Sequence, residues 1–421
     1  MKGLKIKVYF KTFGCRTNIY DTELMKSLLD KEMIVLDEKD ADIIVINSCS
    51  VTNSADSNLR YYINSIYKKY PTKRVLVTGC SAHSIGKELF KSGKVFGVFG
   101  HKEKEEINKI LNFNKKFIQI GELDFINKNI VTSITDRSRA FIKIQEGCNF
   151  ECAYCIIPSV RGKSRSMPEN RILEQIKILS KNGFSEFILT GINMGSYGED
   201  TDTSLAKLLK KIFQIDGVKR VRLGSLEPSQ IDEEFLSILD NPILERHLHI
   251  ALQYADDRML RIMKRRNRVK KTLQLFETLA EKGFALGTDY IVGHPGESEE
   301  IFLSGLENIK KFPLTHIHLF RYSPRNGTYS ATLKQNLSGD IVKYRYKIIS
   351  DLIKEKNYQF RLKNRDTTLK ILVEEYKNDN YVGYDQFFNR IEINSNIDLT
   401  NQWVEVKNYQ VEKEINKTLF K

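Results

Sequence analysis

No apolar run in this 421-residue chain reaches the roughly 20 residues that a bilayer-spanning helix needs. The opening stretch MKGLKIKVYF alternates Lys with apolar residues. It lacks the uninterrupted apolar segment of a secretory signal, so it reads as a first strand, and the expected location is cytoplasmic with no membrane partner. Cysteine is scarce: six residues are too few for a disulfide scaffold, and the cytosol would keep them as thiols. There is no internal repeat and no low-complexity tract, which sets repeat arrays aside.

What is present is a globular composition, 41% hydrophobic and 29% charged, with length enough for roughly two to four domains. Lys plus Arg total 67 against 53 Asp plus Glu, a net charge of +14. That excess suits a polyanionic partner, because Lys and Arg gain affinity by releasing counterions from phosphates. Basic residues scattered evenly over the surface are the competing reading.

Strands expected over 5–13, 43–47, 74–78 and 95–99 alternate with helices from about residue 22 and over 56–70. Apolar strands alternating with helices predict an open parallel sheet covered on both faces. The pattern restarts near residue 139. Strands over 140–145, 186–190, 220–225, 247–253, 285–292 and 316–322 enclose helices over 169–181, 205–213, 231–239, 270–282 and 299–311. Six such units read as a partial (β/α)6 barrel or a long parallel sheet. A basic helical connector over 341–365 leads to short strands over 368–375, 381–385, 391–393 and 403–407, a small all-β barrel. The expected fold is therefore α/β multidomain, with boundaries at 1–130, 134–362 and 363–421.

The cysteines form two triads. Cys148, Cys152 and Cys155 stand as C-x3-C-x2-C just after the first strand of the second region, at the end where such folds keep their chemistry. One loop can wrap a cluster with these soft ligands, and three ligands leave a four-iron cluster one open iron for S-adenosylmethionine. A closed zinc site is the alternative, but no fourth Cys or His lies nearby. Cys15, Cys49 and Cys80 are 34 and 31 positions apart, and each ends an apolar strand: VYFKTFGC, IIVINSC and RVLVTGC. One βαβ unit separates each pair, so three parallel strands deliver three thiols to one carboxyl edge, where open α/β sheets bind ligands. Three inert buried cysteines are the plainer reading.

These stretches, with CIIPSVRGKSRS, LEP, TDYIVGHPGE and YSPRNGT, resemble the methylthiotransferase family of radical S-adenosylmethionine enzymes over essentially the whole chain. The resemblance implies two [4Fe-4S] clusters, an auxiliary one on Cys15, Cys49 and Cys80, and a radical-generating one on Cys148, Cys152 and Cys155. It implies a central radical barrel, a C-terminal RNA-binding β-barrel, and two S-adenosylmethionine molecules per turnover. One molecule methylates sulfur at the auxiliary cluster, and the other is cleaved for hydrogen abstraction. Three branches act on threonylcarbamoyladenosine in tRNA, on isopentenyladenosine in tRNA, or on an aspartate of a ribosomal protein. Arg16-Thr17-Asn18 and the run from Val51 to Asp56 look most like the first. The implied substrate is adenosine 37 in a tRNA anticodon loop. The implied partners are a reductant such as flavodoxin or ferredoxin and an unidentified sulfur donor, and the chain is expected to be a monomer. A non-enzymatic iron–sulfur carrier or redox-sensing RNA-binding protein is the alternative of another class.

Expected cofactor contacts are Tyr154, Gly191, Asn193, Ser225, Glu227, Gln253 and Gly293. Each has a plainer role as packing, cap or turn. Relatives usually carry a Pro-Leu-Gln-Ser-Gly-like run where this chain has Ala251-Leu252-Gln253-Tyr254-Ala255. RNA contact is expected of Arg265 and Arg266, within the basic run 258–271, and of Lys377 and Arg390, among aromatics of the C-terminal module; a solvated face and a small core compete there. The alternating pairs His247/His249 and His316/His318 read as core or pocket packing.

Overall fold

The computed structural model describes residues 6–134 and 137–420. Strands β1 (Val8–Thr12), β2 (Ile43–Ser48), β3 (Arg74–Gly79), β4 (Gly97–Phe99) and β5 (Phe117–Gln119) form one parallel sheet in that order. Ile34 adds a parallel bridge on the far side of β1. The chain therefore winds outward past β1 before returning to β2. Helix α1 (Arg16–Ser27) and α4 (Ile107–Leu111) pack on one face, and α2 (Asn53–Lys69) and α3 (Cys80–Lys91) on the other. The carboxyl ends of β1 and β2 mark the switch point where open α/β sheets bind ligands. Every residue of β2 is buried, as expected for a sheet covered on both faces.

The expected first strand begins at Val8, and residue 5 lies outside the described residues. The helix expected from about residue 22 begins at Arg16. Nothing local announces that start, because Cys15 occupies the N-cap without a side-chain cap. The helix forms because its polar turn is buried against other elements: Thr17, Asn18, Asp21, Thr22 and Glu23 are all buried.

The central region carries β6 (Ala140–Lys143) and a small hairpin of β7 (Gln145–Glu146) and β8 (Arg165–Ser166), with α5 (Ile157–Arg161) between them. Then come α6 (Glu169–Lys181), β9 (Glu186–Thr190), α7 (Leu205–Ile212), β10 (Arg220–Leu223), α8 (Glu233–Leu236) and β11 (His247–His249). Next are α9 (Asp257–Ile262), α10 (Val269–Glu281), β12 (Ala285–Val292), α11 (Glu299–Lys311) and β13 (His316–Arg321). The strands pair as two three-stranded parallel sheets, β6-β9-β10 and β11-β12-β13. Parallel bridges Val221–Leu244 and Leu226–Ile250 join them, and one apolar core runs beneath both.

Helix α12 (Gly339–Lys363) packs Ile349 and Ile353 into that core. It hands the chain to a six-stranded curled sheet of β14 (Leu369–Lys377), β15 (Asn380–Tyr384), β16 (Arg390–Asn394), β17 (Trp403–Val406), β18 (Gln410–Val411) and β19 (Asn416–Leu419). Its order is β17-β14-β15-β16-β19-β18. The architecture is multidomain α/β. No helix among the described residues is long and apolar enough to cross a membrane.

Candidate active site

A cavity of about 590 Å³ opens where the three regions meet, a volume within the usual range for small-molecule sites. One cysteine of each triad, Cys15 and Cys155, stands on its wall.

Cys15 caps α1 and is exposed, while Cys80 is the first residue of α3 and is buried. Cys49 lies between them. Gly14 makes the approach possible with φ +107°, since a Cβ there would collide with the Cβ of Cys49. Burial pushes the Cys49 thiol up to about 12, and the neighbouring Cys80 and Cys15 push the same way. Burial also raises Cys80, whose sulfur accepts a 3.3 Å hydrogen bond from Nε of Arg161.

The second triad sits in the loop between β7 and α5, turned by Gly147 at φ +72°. A Cβ at Gly147 would strike the carbonyl of Lys163. Gln145 braces this loop from both sides. Its Nε2 donates to the Gly147 carbonyl at 2.8 Å, and its Oε1 accepts from the amides of Ile192 and Asn193 at 3.0 and 2.8 Å. Burial pushes Cys155 up to about 12, with Cys152 and Cys148 adding to the rise. Cys152 accepts from Arg265 at 3.4 Å.

The donor chemistry fits iron–sulfur clusters. Each set offers three soft thiols whose charges act on one another, and raised thiols must lose their protons to a metal. A lone tetrahedral zinc, with Zn–S near 2.3 Å, would need sulfurs about 3.8 Å apart. Among the described residues, no three cysteine sulfurs lie within 4.8 Å of one another.

Of the residues expected to meet the cofactor, Tyr154, Gly191, Asn193, Ser225, Glu227 and Gln253 line the cavity, and Gly293 does not. Gly293 donates its amide to Glu297 and faces Val342 of α12. Gln253 holds φ +68°, a strained backbone of the kind that gathers at functional sites. The departure beside it is absorbed by the core: Tyr254 and Ala255 are wholly buried, and Tyr254 stacks on Tyr290.

The RNA expectation for Arg265 is corrected. It is 4% exposed, and its fork is filled by Glu227 at 2.8 and 2.5 Å, so no phosphate can reach it. Arg266, Lys377 and Arg390 are exposed. Within the C-terminal sheet, Phe387 belongs to a core, Tyr384 stacks on Phe388, and Phe388 lines the cavity. Tyr376 keeps its ring outside, 58% exposed.

All four paired histidines line the cavity. Asp289 takes His249 at 3.1 Å and His318 at 3.3 Å. Burial would raise that carboxyl, but the two imidazoles hold it well below the usual carboxylate range.

Two features escaped sequence reasoning. One is a buried ionic knot: Asp21 of α1 meets Lys104 at 2.6 Å, Lys143 of β6 at 2.7 Å and Arg161 of α5 at 3.4 Å, and Glu146 meets Arg161 at 2.8 Å. It ties the N-terminal sheet to the central strands directly behind Cys80. A lysine inside the apolar run AFIKI was the available signal. The other is a clasp from Arg325 to Asn53 at 2.8 Å and Asp56 at 2.7 Å, which joins the YSPRNGT and VTNSAD runs. Asn53 and Asp56 are thus held by protein.

Comparison with known proteins bears on this geometry. Residues 7–100 match a model described as Uncharacterized protein family UPF0004, and residues 142–307 match the Radical SAM superfamily. A Helicobacter pylori protein, provisionally named a methylthiotransferase, is 49% identical over 98% of this chain and 100% of its own length. The Threonylcarbamoyladenosine tRNA methylthiotransferase MtaB of Aquifex aeolicus is 36% identical over 88% of this chain and 93% of its own. Among solved structures, the radical S-adenosylmethionine methyltransferase TsrM of Kitasatospora setae shares the fold. Its TM-score is 0.58 at 12% identity, over 77% of each chain.

Proposed function

This chain belongs to the radical S-adenosylmethionine methylthiotransferase family, and we propose that it methylthiolates C2 of N6-threonylcarbamoyladenosine at position 37 of tRNA. Family members use S-adenosylmethionine and [4Fe-4S] clusters. Cys15, Cys49 and Cys80 hold the auxiliary cluster, and Cys148, Cys152 and Cys155 hold the cluster that binds S-adenosylmethionine. When bound, these groups would supply hydrogen abstraction and the donated sulfur and methyl, with electrons from an external reductant; the chain's own residues hold and orient them.

The observation that carries the reading is the shared cavity, with a cysteine of each triad on one wall. A substrate there would have a cysteine of each triad on the wall around it. Arg265, fixed by Glu227, and Asn193, whose amide lies 3.9 Å from the Cys148 sulfur, hold the second loop in shape and offer charge-assisted donors to its sulfurs. Tyr154, Gly191, Ser225, Glu227 and Gln253 form the cofactor wall. Residues 134–362 act as a partial (β/α)6 radical barrel, 1–130 as the auxiliary-cluster domain, and 363–421 as an RNA-facing β-barrel, with Arg266, Lys377 and Arg390 toward phosphates. Position 37 lies in a single-stranded loop, where a base can be splayed out into such a cavity. The names of the Aquifex aeolicus relative and of a Bacillus subtilis one support threonylcarbamoyladenosine as the target.

Mass spectrometry of tRNA nucleosides from a strain lacking the gene tests this. The methylthio form of threonylcarbamoyladenosine should vanish while the unmethylthiolated nucleoside accumulates. Its persistence, with no redundant enzyme present, would sink the assignment.

A further inference from the structure

Arg16 is the first residue of α1, one position after Cys15, and it stands on the cavity wall. Among the described residues its guanidinium makes no hydrogen bond and no ion pair; it lies 5.9 Å from the ring of Phe388. This sets it apart from the other arginines of the interior. Arg161, Arg222, Arg265 and Arg345 each grip a carboxylate. The acids nearest in influence to Arg16 are engaged elsewhere. Glu245 is bound by Arg222, and Asp289 by His249 and His318. A guanidinium cannot discharge its cost by losing a proton, and a partly buried one without a partner is expensive. The site therefore waits for an anion.

We propose that Arg16, over Phe388, is the subsite that reads a carboxylate on the group attached to the target base. The inference rests on the proposed function above and names what would distinguish its substrate. Position selects a carboxylate on the base over a backbone phosphate. The fork of one guanidinium matches a planar monoanion with two parallel hydrogen bonds. Glu245 and Asp289 line the same cavity and disfavour more negative charge than one monoanion brings. The residue also adjoins Cys15, at the reacting end of the cavity, so the anion belongs to the modified base and not to the RNA backbone. Phe388 stacks on His247 at 5.2 Å and on Tyr384 at 5.0 Å, which fixes an apolar floor under the charged end. The threonyl carboxylate of threonylcarbamoyladenosine satisfies such a site. An isopentenyl group leaves Arg16 unpaired, and a site built around a polar partner rejects ligands that lack it.

The test uses reconstituted enzyme and anticodon stem–loops bearing threonylcarbamoyladenosine, its carboxamide analogue, or isopentenyladenosine. Two quantities are read: kcat/KM for methylthiolation, and Kd measured without S-adenosylmethionine. Wild type should favour the carboxylate over the carboxamide by about a hundredfold in kcat/KM, with a parallel preference in Kd. Arg16→Gln should bring that preference close to one by losing the carboxylate substrate, and Arg16→Lys should recover part of it. Iron content confirms that each variant is loaded. Wild type treating carboxylate and carboxamide alike overturns the proposal without any variant, as does Arg16→Gln keeping the full preference. Wild type inactive on both but active on the isopentenyl stem–loop overturns the substrate assignment beneath it.

Discussion

His294 shows how burial writes pH dependence into single side chains. It is wholly buried, its Nε2 lies 2.8 Å from the Ser330 hydroxyl, and burial pushes it down to about 4 from an ordinary 6.5. In the unfolded chain the imidazole takes up a proton near pH 6.5; in the folded chain it does so only near pH 4. The unfolded state thus binds more protons between those values, and stability falls as pH is lowered through that window. The contribution is complete above about pH 6.5 and amounts to at most about 3 kcal/mol. Denaturant titrations from pH 7 to pH 5 should show this loss, and His294→Gln should flatten the slope. An unchanged slope would mean that His294 takes up its proton alike in the folded and unfolded chain. Arg161 makes the opposite case. Its charge is kept because Asp21, Glu146 and the Cys80 sulfur surround it, and removing one partner from such a knot strands the others.

At the scale of elements, each N-terminal cysteine is set by the turn that leaves its strand. Gly14→Ala tests this directly. The substituted residue must adopt φ +107° and also displace Cys49, so the first triad should fail while the second survives. Iron should fall from about eight to about four per chain, and full iron content would contradict the placement. The strands were legible because buried parallel strands are written as apolar runs. Glu186–Thr190 and Ala285–Val292 fall where their apolar runs predict; strand spacing grouped Cys15, Cys49 and Cys80, while the C-x3-C-x2-C spacing grouped the other three. Helix α1 was half hidden because eight of its residues are buried by contacts from outside the helix. Short strands β5 and β18 carry too few residues to show a period. The ionic knot was invisible for a related reason: Asp21 and Lys143 are 122 positions apart, and no local rule pairs them. Arg265 was misread as RNA-facing because a basic run looks solvated until the fold supplies Glu227.

Across the whole molecule, the C-terminal sheet is built into the central strands instead of hanging from α12. Arg220 and Arg222 donate to carbonyls of Lys370 and Asp385, the Arg246 amide donates to Gln386 at 2.9 Å, and Trp403 donates to Ser185 at 2.8 Å. Phe388 reaches through to the cavity itself. Full-length protein should therefore lose the sheet and the central strands in one thermal transition, followed by near-ultraviolet circular dichroism and by tryptophan fluorescence from Trp403. An early, separate fluorescence transition would refute this coupling. The two triads also differ in how much chain each must wait for. Cys148, Cys152 and Cys155 share one loop, whereas Cys15, Cys49 and Cys80 meet only after three strands have paired. Under the proposed assignment, the loop needs less of the fold in place to take its cluster than the sheet edge does. If the six cysteines hold clusters as proposed, protein made with little iron should therefore fill the loop of Cys148, Cys152 and Cys155 ahead of the sheet edge.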